Sequence, residues 1–77
     1  MPDKEQKVKD INEAIHRSST AMNNKAKAEI LKDGRIEYSI ESVTRTGKRY
    51  RTKASFRDIL SLLWGEDMRQ LHKKYGR

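Results

Sequence analysis

Two short segments ending in glycine, Lys32-Asp33-Gly34 and Arg45-Thr46-Gly47, constrain this chain most, because each lies between runs that alternate in polarity. Successive side chains of a strand point to opposite faces, so alternation marks a sheet with one dry side. Ile36, Tyr38 and Ile40 alternate with Arg35, Glu37, Ser39 and Glu41, and Tyr50, Thr52 and Ala54 alternate with Arg49, Arg51 and Lys53. Ala26, Ala28 and Ile30 do the same against Lys25, Lys27 and Glu29, although their alanines also suit a continued N-terminal helix. A two-residue loop at Asp33-Gly34 would set Glu37 opposite Ile30 and bring a charge onto the apolar side. A three-residue loop closing on glycine sets Ile30 opposite Ile36 and Ala28 opposite Tyr38 instead. The same loop at Arg45-Thr46-Gly47 sets Ile40 opposite Thr52 and Tyr38 opposite Ala54. Glycine closes both because only it enters the left-handed region without steric cost. A three-stranded antiparallel meander is the expectation.

Helical spacing takes over on either side. Val8, Ile11, Ile15 and Met22, with Ala14 and Ser18 beside them, form one stripe and predict an amphipathic helix over residues 3–22, stopped by Asn23-Asn24. Ser18-Ser19-Thr20 are weak helix formers, so its end falls anywhere from Arg17 to Asn24. Ser55 with Asp58 three residues on resembles a capping box ahead of Phe56, Ile59, Leu60 and Leu63. Gly65 interrupts this apolar face, and Glu66-Asp67 follow as they would at a fresh helix start. Met68, Leu71 and Tyr75 then continue a stripe. A C-terminal helix kinked at Gly65 is preferred over two helices with a corner there.

The expected fold is therefore α+β: an N-terminal helix, the three-stranded meander and a C-terminal helix, kinked or split near Gly65, packed on one sheet face. The 77 residues make a single small domain over residues 1–77. Parity assigns Ile30, Ile36, Tyr38, Ile40, Tyr50 and Ala54 to the inner face, with the helix from Phe56 as main cover and the N-terminal helix as partial help. Lys25, Lys27, Arg35, Arg49, Arg51 and Lys53 fall on the outer face among Glu29, Glu37 and Glu41, while Arg45 and Lys48 flank the second turn. Glu41 is expected opposite Arg51.

The formal net charge is +7, and it is concentrated. Residues 1–24 are neutral, residues 25–54 carry nine bases against four acids, and residues 55–77 carry five against three. A concentrated positive field favours a polyanion, and four bases lie within the six residues from Lys48 to Lys53. The expected nucleic-acid contacts are Lys25, Lys27, Arg35, Arg45, Lys48, Arg49, Arg51 and Lys53. Lysines would meet phosphates, and Arg49 and Arg51 would read guanine edges with two-pronged guanidinium contacts. With Tyr38 and Tyr50 assigned to the core, no stacking platform for RNA bases is visible, which favours DNA. The competing interpretation is a solvated face whose charges keep sheet edges apart, or a face that meets an acidic surface of a partner protein.

Leu62, Leu63 and Trp64 exceed what one helix face needs. Trp64 closes the small core in one interpretation. In the other, Leu62, Trp64 and Met68 contact a protein partner or a second copy. Catalysis finds no support: His16 and His72 lack neighbouring acid and hydroxyl groups, there is no cysteine, and no glycine-rich phosphate loop or metal-ligand spacing occurs. No cofactor is expected. No apolar run approaches the roughly 20 residues of a membrane span, and the start of the chain lacks a signal-peptide core, so the cytoplasm, or a host cell's cytoplasm for a phage protein, is the expected location.

The chain carries no motif of a specific family. A three-stranded sheet backed by a C-terminal helix, here about residues 25–64, resembles in architecture several sheet-type DNA readers, the arm-binding domains of mobile-element integrases among them. Size and charge also look like those of small phage- or plasmid-encoded regulators. The expected function is a DNA-binding regulatory or accessory protein. The alternative is a protein-binding modulator, such as a phage inhibitor of a host enzyme or an anti-CRISPR protein.

Overall fold

In the computed structural model, which describes residues 3–76, helix α1 (Lys4–Arg17) and the short α2 (Ser19–Asn23) precede strands β1 (Lys27–Ile30), β2 (Ile36–Val43) and β3 (Arg49–Ala54), and α3 (Phe56–Ser61) and α4 (Gly65–Tyr75) follow. The sheet is antiparallel in the order β1-β2-β3. Its register is the one parity demands: Ile30 faces Ile36, Ala28 faces Tyr38, Tyr38 faces Ala54 and Ile40 faces Thr52. Both turns close as three-residue loops. Leu31 N–H donates to Arg35 O at 2.8 Å and Thr44 N–H to Lys48 O at 2.8 Å, with Gly34 at φ 88° and Gly47 at φ 87°.

The N-terminal helix is two helices, not one. Ser18 leaves the helical region at φ −97°, ψ 117° because its side chain has two other tasks. Its hydroxyl oxygen accepts from Ala21 N–H at 3.3 Å, capping α2, and its O–H donates to Leu62 O at 2.8 Å. Leu62 is the C-cap of α3, so a buried serine satisfies one of the carbonyls that a helix end leaves open. Met22, expected on the buried stripe, is 45% exposed, because the break at Ser18 re-aims the second segment. Asn24 caps the end of α2, and Lys25 then takes a left-handed conformation (φ 50°) to enter β1.

Helix α1 lies closest to the sheet, along β1. Ala26 and Ala28 have side chains small enough to let the helix in, and both are buried. Asn12 uses that proximity. Its amide donates to Ala28 O at 2.9 Å and its carbonyl accepts from Ala28 N–H at 3.0 Å. One side chain thereby replaces the missing neighbouring strand at this edge of the sheet.

The C-terminal segment packs on the same side, where Phe56 meets Tyr38 with ring centroids 5.9 Å apart. The capping box of Ser55 and Asp58 forms in full, with bonds of 3.0 and 3.1 Å. The segment is two helices with a corner at residues 62–64 rather than one kinked helix, and Gly65, at φ 35°, opens α4. The core runs between α1, β1 and this corner: Ile11, Ala14, Ile15, Ala21, Ala26, Ala28, Ile59, Leu60, Leu63 and Leu71. It does not extend under the whole sheet. Ile36, Tyr38, Ile40 and Ala54 are half-buried against it, but Ile30 and Tyr50, also assigned to the inner face, are exposed: Ile30 is the last residue of β1, at the first turn, and Tyr50 lies on β3, away from the helix cover at β1.

Helix α4 is held to α1 by two polar clasps. Arg17 meets Asp67 at 2.8 Å, and Asp10 receives bonds from Tyr75 Oη at 2.5 Å and Lys74 Nζ at 2.9 Å. The Tyr75 hydroxyl, then Lys74, with Gln6 adding a third bond, hold the Asp10 carboxyl at about 2, below its ordinary 3.8. A carboxylate with a lowered folded-state pKa stabilises the fold above its unfolded value and ceases to do so as it is protonated. Urea midpoints are therefore expected to fall as pH drops from about 4 to about 2, and Asp10→Asn should lose that step while being less stable at neutral pH. Asn12→Ala, which strands the Ala28 N–H and C=O, should cost about 1–3 kcal/mol in the same measurement.

Candidate nucleic-acid interface

β1 ends its pairing at Ser39, while β2 continues to Val43. Beyond that point β2 keeps one bond on its β1 side, from Glu41 N–H to Asn24 O at 3.1 Å, and past it β2 and β3 pair with each other, with every residue from position 43 to position 53 exposed. The result is a two-stranded ribbon that projects past the helices. Its tip is tightly specified. Gly47 N–H donates to Thr44 O at 2.9 Å, Lys48 N–H donates to Thr44 Oγ1 at 3.1 Å, and the hydroxyls of Thr44 and Thr46 share a bond of 2.9 Å.

The eight cations expected to contact nucleic acid divide into two sets. Five are engaged with acids beside or across the strands. Lys25 lies 3.7 Å from Glu41, Lys27 3.7 Å from Glu29, Arg35 2.7 Å from Asp33, Arg51 3.9 Å from Glu41 and Lys53 3.8 Å from Glu37. Arg51 is the most committed, since its Nη1 also donates to Ser39 Oγ at 2.9 Å and to Lys25 O at 3.2 Å. Its guanidinium lies across the outer face and covers Ser39, which is 3% exposed. The other three, Arg45, Lys48 and Arg49, have no ion pair among the described residues, and all three sit at the ribbon tip. Sequence supplies the reason: between Glu41 and Asp58 there is no acid, while residues 42–57 contain six bases.

The tip also exposes apolar groups. Val43, directly opposite Arg49, shares the outer side, and Tyr50, opposite Ser42, occupies the inner side at 51% exposure. Parity placed Tyr50 correctly by face but not by burial, because alternation reports which way a side chain points and not what covers it.

Trp64 is a second departure. It is 65% exposed rather than a core plug. Leu63 and Leu71 are the buried side chains here, and Trp64, in extended conformation between the two helices, is the N-terminal flanking residue of α4. Met68, one turn later, is 38% exposed, and Leu62, the third residue expected to contact a partner, is half-buried. Met68 also joins Leu60 in a shallow groove edged by Arg57, Arg69 and His72.

His16 and His72 are both exposed, and no group of three acidic or histidine side chains among the described residues is placed to hold a metal ion. No helix among the described residues is long and apolar enough to cross a membrane. Sequence reasoning missed Asn12 and Ser18, whose roles depend on partners 16 and 44 residues away. No known protein family, curated protein or solved structure matches this chain. Because the indole is largely outside the core, Trp64→Ala should change the urea midpoint by no more than about 0.5 kcal/mol in free energy.

Proposed function

We propose that this protein works by binding nucleic acid, duplex DNA in preference to RNA, as a small regulatory or accessory protein of the cytoplasm, of the kind phages and plasmids encode. The observation that carries the reading is the ribbon tip, where Arg45, Lys48 and Arg49 project with no acid beside them. Its dimensions suit the task. From the Glu41 and Arg51 pair to the turn is about four residues, roughly 14 Å at strand rise. A two-stranded ribbon fits a major groove about 12 Å wide and 8.5 Å deep. Arg49 is the candidate for a two-pronged contact with guanine, and Val43 beside it can meet a thymine methyl. Lys48 and Arg45 reach phosphates on either side, and the engaged cations Lys25, Lys27, Arg35 and Lys53 add a weaker peripheral field. Arg51 helps to set the outer face and is left out of base reading.

A second reading, a protein-binding modulator, draws support from the exposed Trp64, since tryptophan at a surface corner is a favoured anchor for a partner. Binding measured over a salt series separates the two. For the DNA reading, affinity for a short duplex should fall with a log–log slope of about −2 or steeper, about −0.9 for each of the phosphates met by Arg45 and Lys48, with the peripheral cations adding to it. The triple variant of Arg45, Lys48 and Arg49 to Ala should bind about a hundredfold more weakly with unchanged circular dichroism. Equal binding by parent and variant would refute it.

A further inference from the structure

The two edges of the sheet are treated differently. At β1, the outward-facing N–H and C=O of Ala28 are taken by Asn12. At β3 nothing comparable exists. The bond from Thr44 N–H to Lys48 O makes that pair a hydrogen-bonded one, so strict alternation makes Ser42 with Tyr50, Ile40 with Thr52 and Tyr38 with Ala54 the bonded pairs that follow. The backbone groups of Arg49, Arg51 and Lys53 therefore point away from β2. Among the described residues they meet no hydrogen-bonding partner on that side. β3 thus presents an open edge whose free amides and cationic side chains belong to the same three residues.

We infer that this edge accepts an extended acidic segment of a partner protein, which adds as a fourth, antiparallel strand. A second copy of the chain is the wrong occupant. Two-fold pairing of β3 with itself keeps the faces matched, so it sets Arg51 against Arg51 and Arg49 against Lys53, and like charges directly opposite destabilise a pair. A guest with acids at alternate positions reverses each of those terms. Its carboxylates lie beside Arg49, which has no acid of its own, and beside Arg51 and Lys53, whose present partners stand at 3.9 and 3.8 Å. The guest's intervening residues fall on the side of Tyr50, Thr52 and Ala54, where the exposed Tyr50 ring offers apolar contact. Main-chain bonds would supply affinity and the alternation would supply specificity. This inference does not rest on the nucleic-acid reading.

Three end-blocked six-residue peptides test it on the intact protein: one alternating Glu and Val, one alternating Lys and Val, and the Glu-Val peptide with its edge-facing amides N-methylated. The expected result is that the first binds, the second does not, and methylation weakens binding about tenfold or more because charge is retained while the ladder is lost. Hydrogen exchange should then slow at the amides of Arg49, Arg51 and Lys53. No binding by the Glu-Val peptide, equal binding by its methylated form, or protection elsewhere would overturn the inference.

Discussion

Everything in this fold depends on how closely α1 approaches β1. Two alanines on the strand leave room, and the Asn12 amide converts that room into a pair of hydrogen bonds with Ala28. A larger residue at position 28 would push the helix away, and a residue other than asparagine or a similar amide would leave two part-buried backbone groups without partners. With α1 seated there, Ile11, Ala14 and Ile15 point at the corner formed by α3 and α4, and Ser18 reaches Leu62. The core of so small a chain has one location, at one end of the sheet.

The proposed contact surface follows from that asymmetry. Because the helix cover is concentrated near β1, the far end of the β2 and β3 hairpin is left as a bare ribbon. Charges near the core end are balanced across the strands, where Glu37 and Glu41 stand among Lys25, Arg51 and Lys53. Charges at the tip form no ion pair among the described residues. A sheet face carrying nine ionisable groups is thus less a uniform positive plate than a neutralised base with a positive point. That division turns a general expectation about a basic face into one about three residues.

The sequence was most legible where a period and a turn acted together. Alternation plus two glycine loops is enough to set the register of all three strands, since a one-residue slip would invert every side chain. The capping box at Ser55 and Asp58 was equally visible, being local. Burial was not legible, because it depends on which element lies above a residue: Tyr50, Trp64 and Met22 all had apolar assignments and all are exposed. Nor were the tertiary bonds of Asn12, Ser18 and Asp10, whose partners are distant in the chain. Of the candidate site, the identity of the cations could be read directly. Which of them are tied to acids required the structure, because Arg51 bonds to Ser39 and to the Lys25 carbonyl, where sequence foresaw only Glu41 opposite it.

The central claim is that the hairpin tip is the contact surface, and it is best tested by following the backbone amides of isotopically labelled protein by NMR as a short DNA duplex is added. The account requires the largest shifts at residues 43–51, with α1 and the corner at Trp64 nearly silent. Shifts centred on Trp64 and Met68, or no shifts at low salt, would contradict it.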